Sequence, residues 1–542
     1  MGEPRLKRPR IFDDSDSASE EASAVSRGGS STSIAHQTLH HVVASGPDHA
    51  HDAAETRVSS IASTAAVANA HHGDGTSLSI APQSVTSERD WTEFIQASSK
   101  PYREPLGSQL RELLVTTAFS GLGSIMEVLR KLGIAARELA AAEIKPSAHT
   151  FCKRNSLLAE HHFEDVRSLV AHGSGKCIKH GHCKMPTEKA DLSVMGFPCQ
   201  PYSGARPGSH DPDNVTEHVS FQYAQEAIRY IKKTRPRAAL LENVLKFAEN
   251  HRGTSRSFES QDNVVNFCEN FCEELRKLGY HVCWTRLDLN SWVEANSTRI
   301  YIFVVDRDVG PESTVVRASE LAQEMQVSRS QYPAMTLASY CLRAGCPEWS
   351  RECMRLLQDD FDPASSGRMG DADASWKKQA AMLRGRHGWQ GKPWTQPGEQ
   401  PPRLRGYSRT ARSEEITDLG FFWGAKRLGL DPHSADHRPL IARQLLCDPT
   451  QNPGRNPWSM HLRRLTRGCR PYIYSQDRCM FPLEAFRAYG WDNPCLHGLT
   501  DDEAWDLLGD SMALQTLGVA VSALLWALGE RLPGLWQGRR PT

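Results

Sequence analysis

The sequence predicts an α/β protein: a Rossmann-like, doubly wound, mostly parallel sheet with a smaller irregular lobe. Three observations carry this. Short apolar or β-branched runs alternate with helical periodicity from about residue 108 to 308. The first run ends in a glycine turn that opens a helix, and from about Gly310 the alternation fades into Pro, Gly, Arg and Trp.

Taken in order, "LLVTTAF" (Leu113 to Phe119) reads as a strand, "SIMEVLRKLG" as a helix closed by Gly133, and "ELAAAEI" as the next strand. "DLSVMGF", "RAALLEN" and "RIYIFVV" read as further buried strands, with "HVSFQYAQEAIRYIKK" and "VVNFCENFCEELRKLG" as amphipathic helices between them. Residues 310–458 form the lobe, with helical pieces such as "ECMRLLQDDF". Residues 459–535 return to helix in "FPLEAFRAYGW" and in an apolar C-terminal stretch expected to pack on the sheet. Residues 1–98, rich in Ser, Ala, His, Gly and Asp, lack the apolar surface to offset ordering entropy and read as a disordered tail.

The chain of 542 residues is 39% hydrophobic and balances 64 basic against 64 acidic side chains, so bulk charge nominates no nucleic-acid partner and any basic surface is local. Fourteen cysteines without a C-x-x-C pair do not look like a disulfide framework, and a reducing compartment is expected. No signal peptide or membrane span is expected, and no membrane partner. "RLKRPR" (Arg5 to Arg10) fits a nuclear import signal, which makes the nucleus the expected location and the cytoplasm the alternative.

"AFSGLGS" places Phe119, Gly121 and Gly123 where a strand meets a helix, a position suited to a bound nucleotide and equally to an ordinary turn. Glu143 closes the second strand about twenty residues on, where an acidic side chain accepts ribose hydroxyls or, alternatively, faces Lys145 as a solvated strand-end carboxylate. Asp165 fits either an adenine contact or a helix N-cap. There is no G-K-[ST], so a phosphate-cradling P-loop is not expected. In "MGFPCQPYSG", Cys199 follows Pro198 at a strand end and precedes a polar loop, residues 201–214, that reads as a lid. "LLENV" sets Glu242 and Asn243 beside it if the two strands are neighbours.

The order F-x-G-x-G, acidic strand end, P-C-Q, E-N-V resembles that of the cytosine-5 DNA methyltransferases. The resemblance continues through "NSTRIYIFVV", "RCMFPLEAFRAYGW" and "LGDSMALQTLGVAV", and covers roughly residues 110–530. It implies that Phe119, Gly121, Gly123, Glu143, Asp165, Pro198, Asp510 and Ser511 bind S-adenosyl-L-methionine. It also implies that Cys199 adds to carbon 6 of a flipped cytosine, that Glu242 acts at ring nitrogen 3 as a general acid with a raised pKa, and that Arg299 helps hold the base. The implied partner is double-stranded DNA and the lobe becomes a target-recognition lobe. There Arg384, Arg386, Trp389, Lys392, Trp394, Arg403, Arg405, Tyr407 and Arg409 interleave cations with aromatics, fitting either phosphates and unstacked bases or a solvated loop with Trp anchors.

Several residues depart from the family pattern. Ala295 and Ser297 stand where a Gln and an Arg are usual, with Asn296 or a lobe arginine as possible substitutes, and Asp510 replaces an Asn. "CIKHGHCK" offers Cys177, His180, His182 and Cys183 as zinc ligands, but four within seven residues are cramped and match no common finger spacing, so no metal is expected. Two alternatives stay open: a transfer-RNA methyltransferase of the same fold, whose Cys-Phe-Thr stretch is absent, and a non-catalytic DNA-binding relative.

Overall fold

The computed structural model describes residues 91–103, 112–203, 215–252, 264–358, 374–395, 410–451, 453, 457–463 and 465–531. The basic cluster Arg5 to Arg10, the expected tail up to residue 90, lid residues 204–214 and lobe residues Arg403, Arg405, Tyr407 and Arg409 lie outside them.

The described chain begins with α1 (Trp91–Arg103), followed by β1 (Leu113–Ala118), α2 (Ser124–Lys131), β2 (Ala136–Ala142), α3 (Pro146–Arg154), β3 (His161–Phe163) and α4 (Val166–His172). A hairpin of β4 (Ser174–Cys177) and β5 (Gly181–Lys184) precedes β6 (Leu192–Met195), α5 (Gln222–Thr234), β7 (Ala238–Val244), α6 (Phe267–Lys277), β8 (Tyr280–Asp288), β9 (Thr298–Asp306) and α7 (Glu312–Ser330). One nine-stranded sheet results, in the order β8-β9-β7-β6-β1-β2-β3-β4-β5. The central strands β7, β6, β1, β2 and β3 run parallel, while β8, β9 and the β4–β5 hairpin add antiparallel flanks.

Strand alternation splits the core between the two faces of this sheet. Leu240 of β7 and Tyr301, Phe303 and Val305 of β9 join one core with Val128 and Leu129 of α2 and Leu321 of α7. Leu241, Ile300, Ile302 and Val304 join the other with Ile231 of α5 and Phe271 and Leu275 of α6. The lobe has its own core, in which α8 (Ala374–His387) and α9 (Ala411–Leu428) bring Trp376, Ile416, Leu419 and Phe421 onto Tyr472 and Tyr474. The chain then returns through α10 (Pro482–Ala488), α11 (Asp501–Gly509) and α12 (Leu514–Arg531). The segment Asp501–Gly529 is apolar and long enough to cross a membrane on composition, yet 94% of its apolar window is buried inside the protein. The Tyr301 hydroxyl, 2.8 Å from the Thr516 hydroxyl, sets α12 against β9.

Two boundaries differ from the sequence reading. Residues 91–98, assigned there to the tail, are helical: Trp91, Phe94 and Ile95 are buried, and a Cβ at Gly518 would stand 2.6 Å from the Trp91 ring. Glycine at 518 thus lets α1 dock closely on α12, a tertiary contact that leaves no local signal. The segment after residue 310 also stays with the sheet, since Val315, Ala318 and Leu321 of α7 belong to its core, whereas the lobe core runs from Trp376 to Cys479.

Glu138 of β2 is buried in this framework and accepts the Thr117 hydroxyl at 2.7 Å. Burial raises its pKa from 4.5 to about 7, offset only in part by that hydrogen bond. A carboxyl that holds its proton more tightly when folded contributes stability below about pH 4.5, and that contribution is lost as pH rises through about 7. Glu138→Gln is therefore expected to match the parent near pH 5 and to exceed it by ~3 kcal/mol at pH 8. Denaturant unfolding at the two pH values measures this, and equal stabilities at pH 8 would contradict it.

Candidate active site

Because the central strands are parallel, their C-terminal ends share one edge, and β1, with β2 on one side and β6 on the other, sits where the chain reverses direction across the sheet. After β1, Phe119, Gly121 and Gly123 take φ of 55°, 52° and 69°. The glycines do so without steric cost, whereas the left-handed Phe119 stores on the order of 1 kcal/mol of strain. Its ring is held edge-to-face on Tyr223, with centroids 5.8 Å apart. A Cβ at Gly121 would meet nothing within 4 Å, so the turn faces open space on the side a cofactor would occupy.

Glu143, one residue past β2, is buried and fixed by two backbone donors: Gly121 N–H to Oε2 at 2.8 Å and Lys145 N–H to Oε1 at 2.9 Å. Each oxygen keeps acceptor capacity for a ribose hydroxyl. The turn and the acidic residue, read separately in the sequence, are thus one hydrogen-bonded unit. Asp165 takes the N-cap alternative, accepting the Arg167 N–H at 2.8 Å and its guanidinium at 3.0 Å. Asp510, after α11, is ion-paired with Lys145 and, at 2.5 Å, with Arg467. The buried Ser511 hydroxyl donates to the Leu508 carbonyl at 2.9 Å.

Cys199 is half-buried and in no disulfide. Its loop, with Pro198, is pinned from β7, where the buried Asn243 amide donates to the Phe197 carbonyl at 3.2 Å. Beyond it Tyr202 packs on Phe247 and Phe267 at 4.6 and 5.6 Å. Glu242 and Arg299 lie on the paired strands β7 and β9, in diagonal register: Tyr301 is opposite Glu242 and Arg299 opposite Val244. Arg299 Nε is 2.8 Å from Glu242 Oε1, both side chains nearly buried, and a Cβ at Gly196 would stand 3.4 Å from Glu242 Oε2, which places that oxygen beside the Cys199 loop. Burial alone would lower the Arg299 pKa, but the Glu242 carboxylate, with smaller help from Cys199, carries it above the usual arginine value.

The segment that departs from the family pattern has a structural use. Ala295 and Asn296 pair in parallel with Leu462 and Arg463, and the carbonyl of the buried Ser297 accepts the Leu289 N–H at 3.1 Å. Arg467 lies beyond the lobe bounds read from sequence, between Leu465 and Cys469 of the sheet core. Burial lowers the Arg467 pKa, Asp510 raises it beyond the ordinary value, and Cys199 adds a smaller rise. Arg467, in "LTRGCR", was missed by sequence reasoning, and Lys145 was read only as a neighbour of Glu143, since only the fold brings the two together.

Elsewhere in the lobe the anchoring alternative holds for most of the described cluster. Arg384 pairs with Glu415 through contacts of 2.5 and 2.9 Å, and Trp389 stacks on Phe422 at 5.3 Å. Trp394 is buried with its indole N–H on the Tyr472 hydroxyl at 2.8 Å, Lys392 pairs with Glu414 at 3.2 Å, and Arg386 is exposed. The four-residue zinc set taken from the hairpin alone does not form. His182 is exposed, and His161 of β3 stands with Cys177, His180 and Cys183 instead.

A glycine turn locked to an acidic strand end, with a thiol and a carboxylate–guanidinium pair at the neighbouring strand ends, defines an α/β protein of the nucleotide-cofactor class with a nucleophilic site. A profile of C-5 cytosine-specific DNA methylases matches residues 115–503, and the chain belongs to that family. It is 27% identical over 204 residues to the orphan methyltransferase M.Rho11sI of Bacillus phage rho11s, covering 37% of this chain and 34% of that one. Over 130 residues it is 32% identical to the Type II methyltransferase M.Sau3AI of Staphylococcus aureus, covering 23% of this chain and 28% of the other. The chain thus spans about a third of the length of these curated relatives. Among solved structures, the Dnmt2 methyltransferase of S. pombe aligns over 77% of this chain and 98% of its own at 15% identity and a TM-score of 0.35. The Entamoeba histolytica methyltransferase EhMeth aligns over 78% and 98% at 13% identity and 0.36.

S-adenosylmethionine is the cofactor of this family, and the open turn over Gly121 with the fixed acceptors of Glu143 fits it. Glu143→Ala removes two charge-assisted backbone contacts and both carboxylate acceptors, and is expected to weaken S-adenosylmethionine binding by about tenfold to a hundredfold. Cys199→Ala should leave that affinity within about twofold. Calorimetric titration of both variants checks this; equal weakening in the two would show that Glu143 has no particular part in cofactor binding.

Proposed function

We propose that this protein transfers a methyl group from S-adenosylmethionine to carbon 5 of cytosine in double-stranded DNA, through a covalent adduct between Cys199 and a flipped base. One observation carries the reading: Cys199 lies on a pinned loop directly beside the buried Glu242–Arg299 pair.

The chemistry follows from those residues. The Cys199 thiolate adds to carbon 6 of cytosine, forming a carbon–sulfur bond and shifting electron density towards ring nitrogen 3 and carbon 5. Glu242 accompanies nitrogen 3 as its proton-handling partner. Arg299, bonded to Oε1, keeps a counter-charge beside the carboxylate as protons move. The bound cofactor supplies an electrophilic methyl group. After carbon 5 has taken the methyl, loss of its proton returns the electron pair that expels the Cys199 sulfur from carbon 6. The general-acid role expected of Glu242 rests on its place beside the Cys199 loop, with Arg299 Nε 2.8 Å from Oε1.

Carbons 5 and 6 are inaccessible in a stacked duplex, so the base must be extruded at a cost of a few kcal/mol. Arg386, exposed, and Arg403, Arg405 and Arg409 are the candidate backbone contacts, with binding that weakens as salt rises. The basic cluster Arg5 to Arg10 supports a nuclear location in a nucleated cell.

Labelled methyl from S-adenosylmethionine is expected to enter duplex DNA, with Cys199→Ala inactive and Glu242→Gln slower by about a hundredfold or more. Labelling of transfer RNA but of no duplex would overturn the substrate. DNA carrying 5-fluorocytosine should trap the protein in a complex that survives denaturing gels, because fluorine cannot leave carbon 5 as a proton does. A protein that binds cofactor and DNA yet forms no such complex would be a non-catalytic relative.

A further inference from the structure

We propose that the far edge of the sheet carries a structural zinc ion bound by His161, Cys177, His180 and Cys183, a site separate from the active site. The four side chains come from β3 and from the β4–β5 hairpin, and their ligand atoms all lie within 4.8 Å of one another. A tetrahedral zinc with Zn–S of about 2.3 Å and Zn–N of about 2.0–2.1 Å needs ligand-to-ligand distances of roughly 3.3–3.8 Å, so small side-chain rotations complete the shell. One edge is already there, with Cys177 Sγ 3.6 Å from His180 Nδ1.

The backbone explains how a crowded sequence reaches this geometry. In the hairpin Cys177 is opposite Gly181 and Cys183 opposite Gly175, so the thiols are diagonal neighbours. Gly181, at φ 82°, permits the sharp turn that brings His180 back over Cys177. The fourth ligand comes from the neighbouring strand, because β4 pairs with β3 at Phe163 and Cys177, and the Ile178 N–H donates to the His162 carbonyl at 2.8 Å. His161 and His180 then lie with ring centroids 5.2 Å apart.

The alternative is a set of hydrogen bonds among uncharged thiols and imidazoles. That leaves His161 Nδ1, a buried atom, with no hydrogen-bond partner among the described residues, an omission that costs about 1–3 kcal/mol. A cation gives all four groups a bond. Two thiolates and two neutral imidazoles are the donor set of closed zinc sites, they neutralise the dication, and loading releases the two thiol protons. With four protein ligands no position stays open for water, so the ion's part is to fasten the hairpin to the sheet. The effect extends towards the cofactor edge, since the Glu164 N–H, next to Asp165, donates to the Lys176 carbonyl of β4 at 3.0 Å.

The test is elemental analysis of the full chain, expressed in zinc-supplemented medium and purified without chelators. About one zinc per chain is expected, falling at least fivefold in Cys177→Ser/Cys183→Ser and unchanged in His182→Ala and Cys199→Ala. Because the double variant could misfold, cobalt(II) is also added to metal-stripped parent protein. Visible absorption of a tetrahedral thiolate complex is expected, with altered bands in His161→Ala, which keeps both thiols. Folded parent protein without zinc, zinc undiminished in the double variant, or a Cys177–Cys183 disulfide in non-reducing peptide maps would each overturn the proposal.

Discussion

The site depends on one buried ion pair. Glu242 and Arg299 are both nearly excluded from water at 2.8 Å separation, and such a pair loses so much solvation that it is a weak source of stability. What it provides is position. The carboxylate has one oxygen committed to the guanidinium and the other beside the Cys199 loop. The pair exists because β9 runs antiparallel to β7, which sets Arg299 in diagonal register with Glu242. Adjacent residues of β7 then serve two ends, since Glu242 faces the site while Asn243 holds the carbonyl of Phe197. A single strand end thereby fixes both the carboxylate and the loop that presents the thiol.

The cofactor half is built on the same economy of contacts. Glu143 closes onto the backbone of Gly121 and of Lys145, and the Lys145 side chain pairs with Asp510, which also holds Arg467. The aspartate that departs from the family's asparagine thus has two cations beside it, one just past β2 and one from the segment before the C-terminal helices. An asparagine would hydrogen-bond without needing either. In this chain Asp510 is held by two cations, Lys145 and Arg467.

What was legible in the sequence is what is local. The glycine turn, the acid at the second strand end, P-C-Q and E-N-V each sit where a strand ends, and a parallel sheet brings such ends together by construction. The docking of α1 was not legible, because it rests on Trp91 meeting Gly518 across most of the chain. Nor was the use of Arg384, since a cation read as available for phosphate turns out to be bonded to Glu415, and only packing decides between the two. Arg467 shows the reverse case, a lone arginine with no motif around it that the fold delivers to the site.

The hairpin at the far edge raises the same question of what backbone pairing alone can hold. β3 is three residues long and meets β4 at a single registered pair, Phe163 with Cys177. The hairpin's own ladder is complete, but its hydrogen bonding to the rest of the sheet is slight, so little backbone energy opposes its opening. Two thiols and two imidazoles gathered at that seam answer a mechanical need, since a metal crosslink between β3 and the hairpin does not depend on ladder length. The cramped spacing that argued against zinc in the sequence assumed that all four ligands came from the hairpin. Once His161 replaces His182, three short elements share the shell and the crowding disappears.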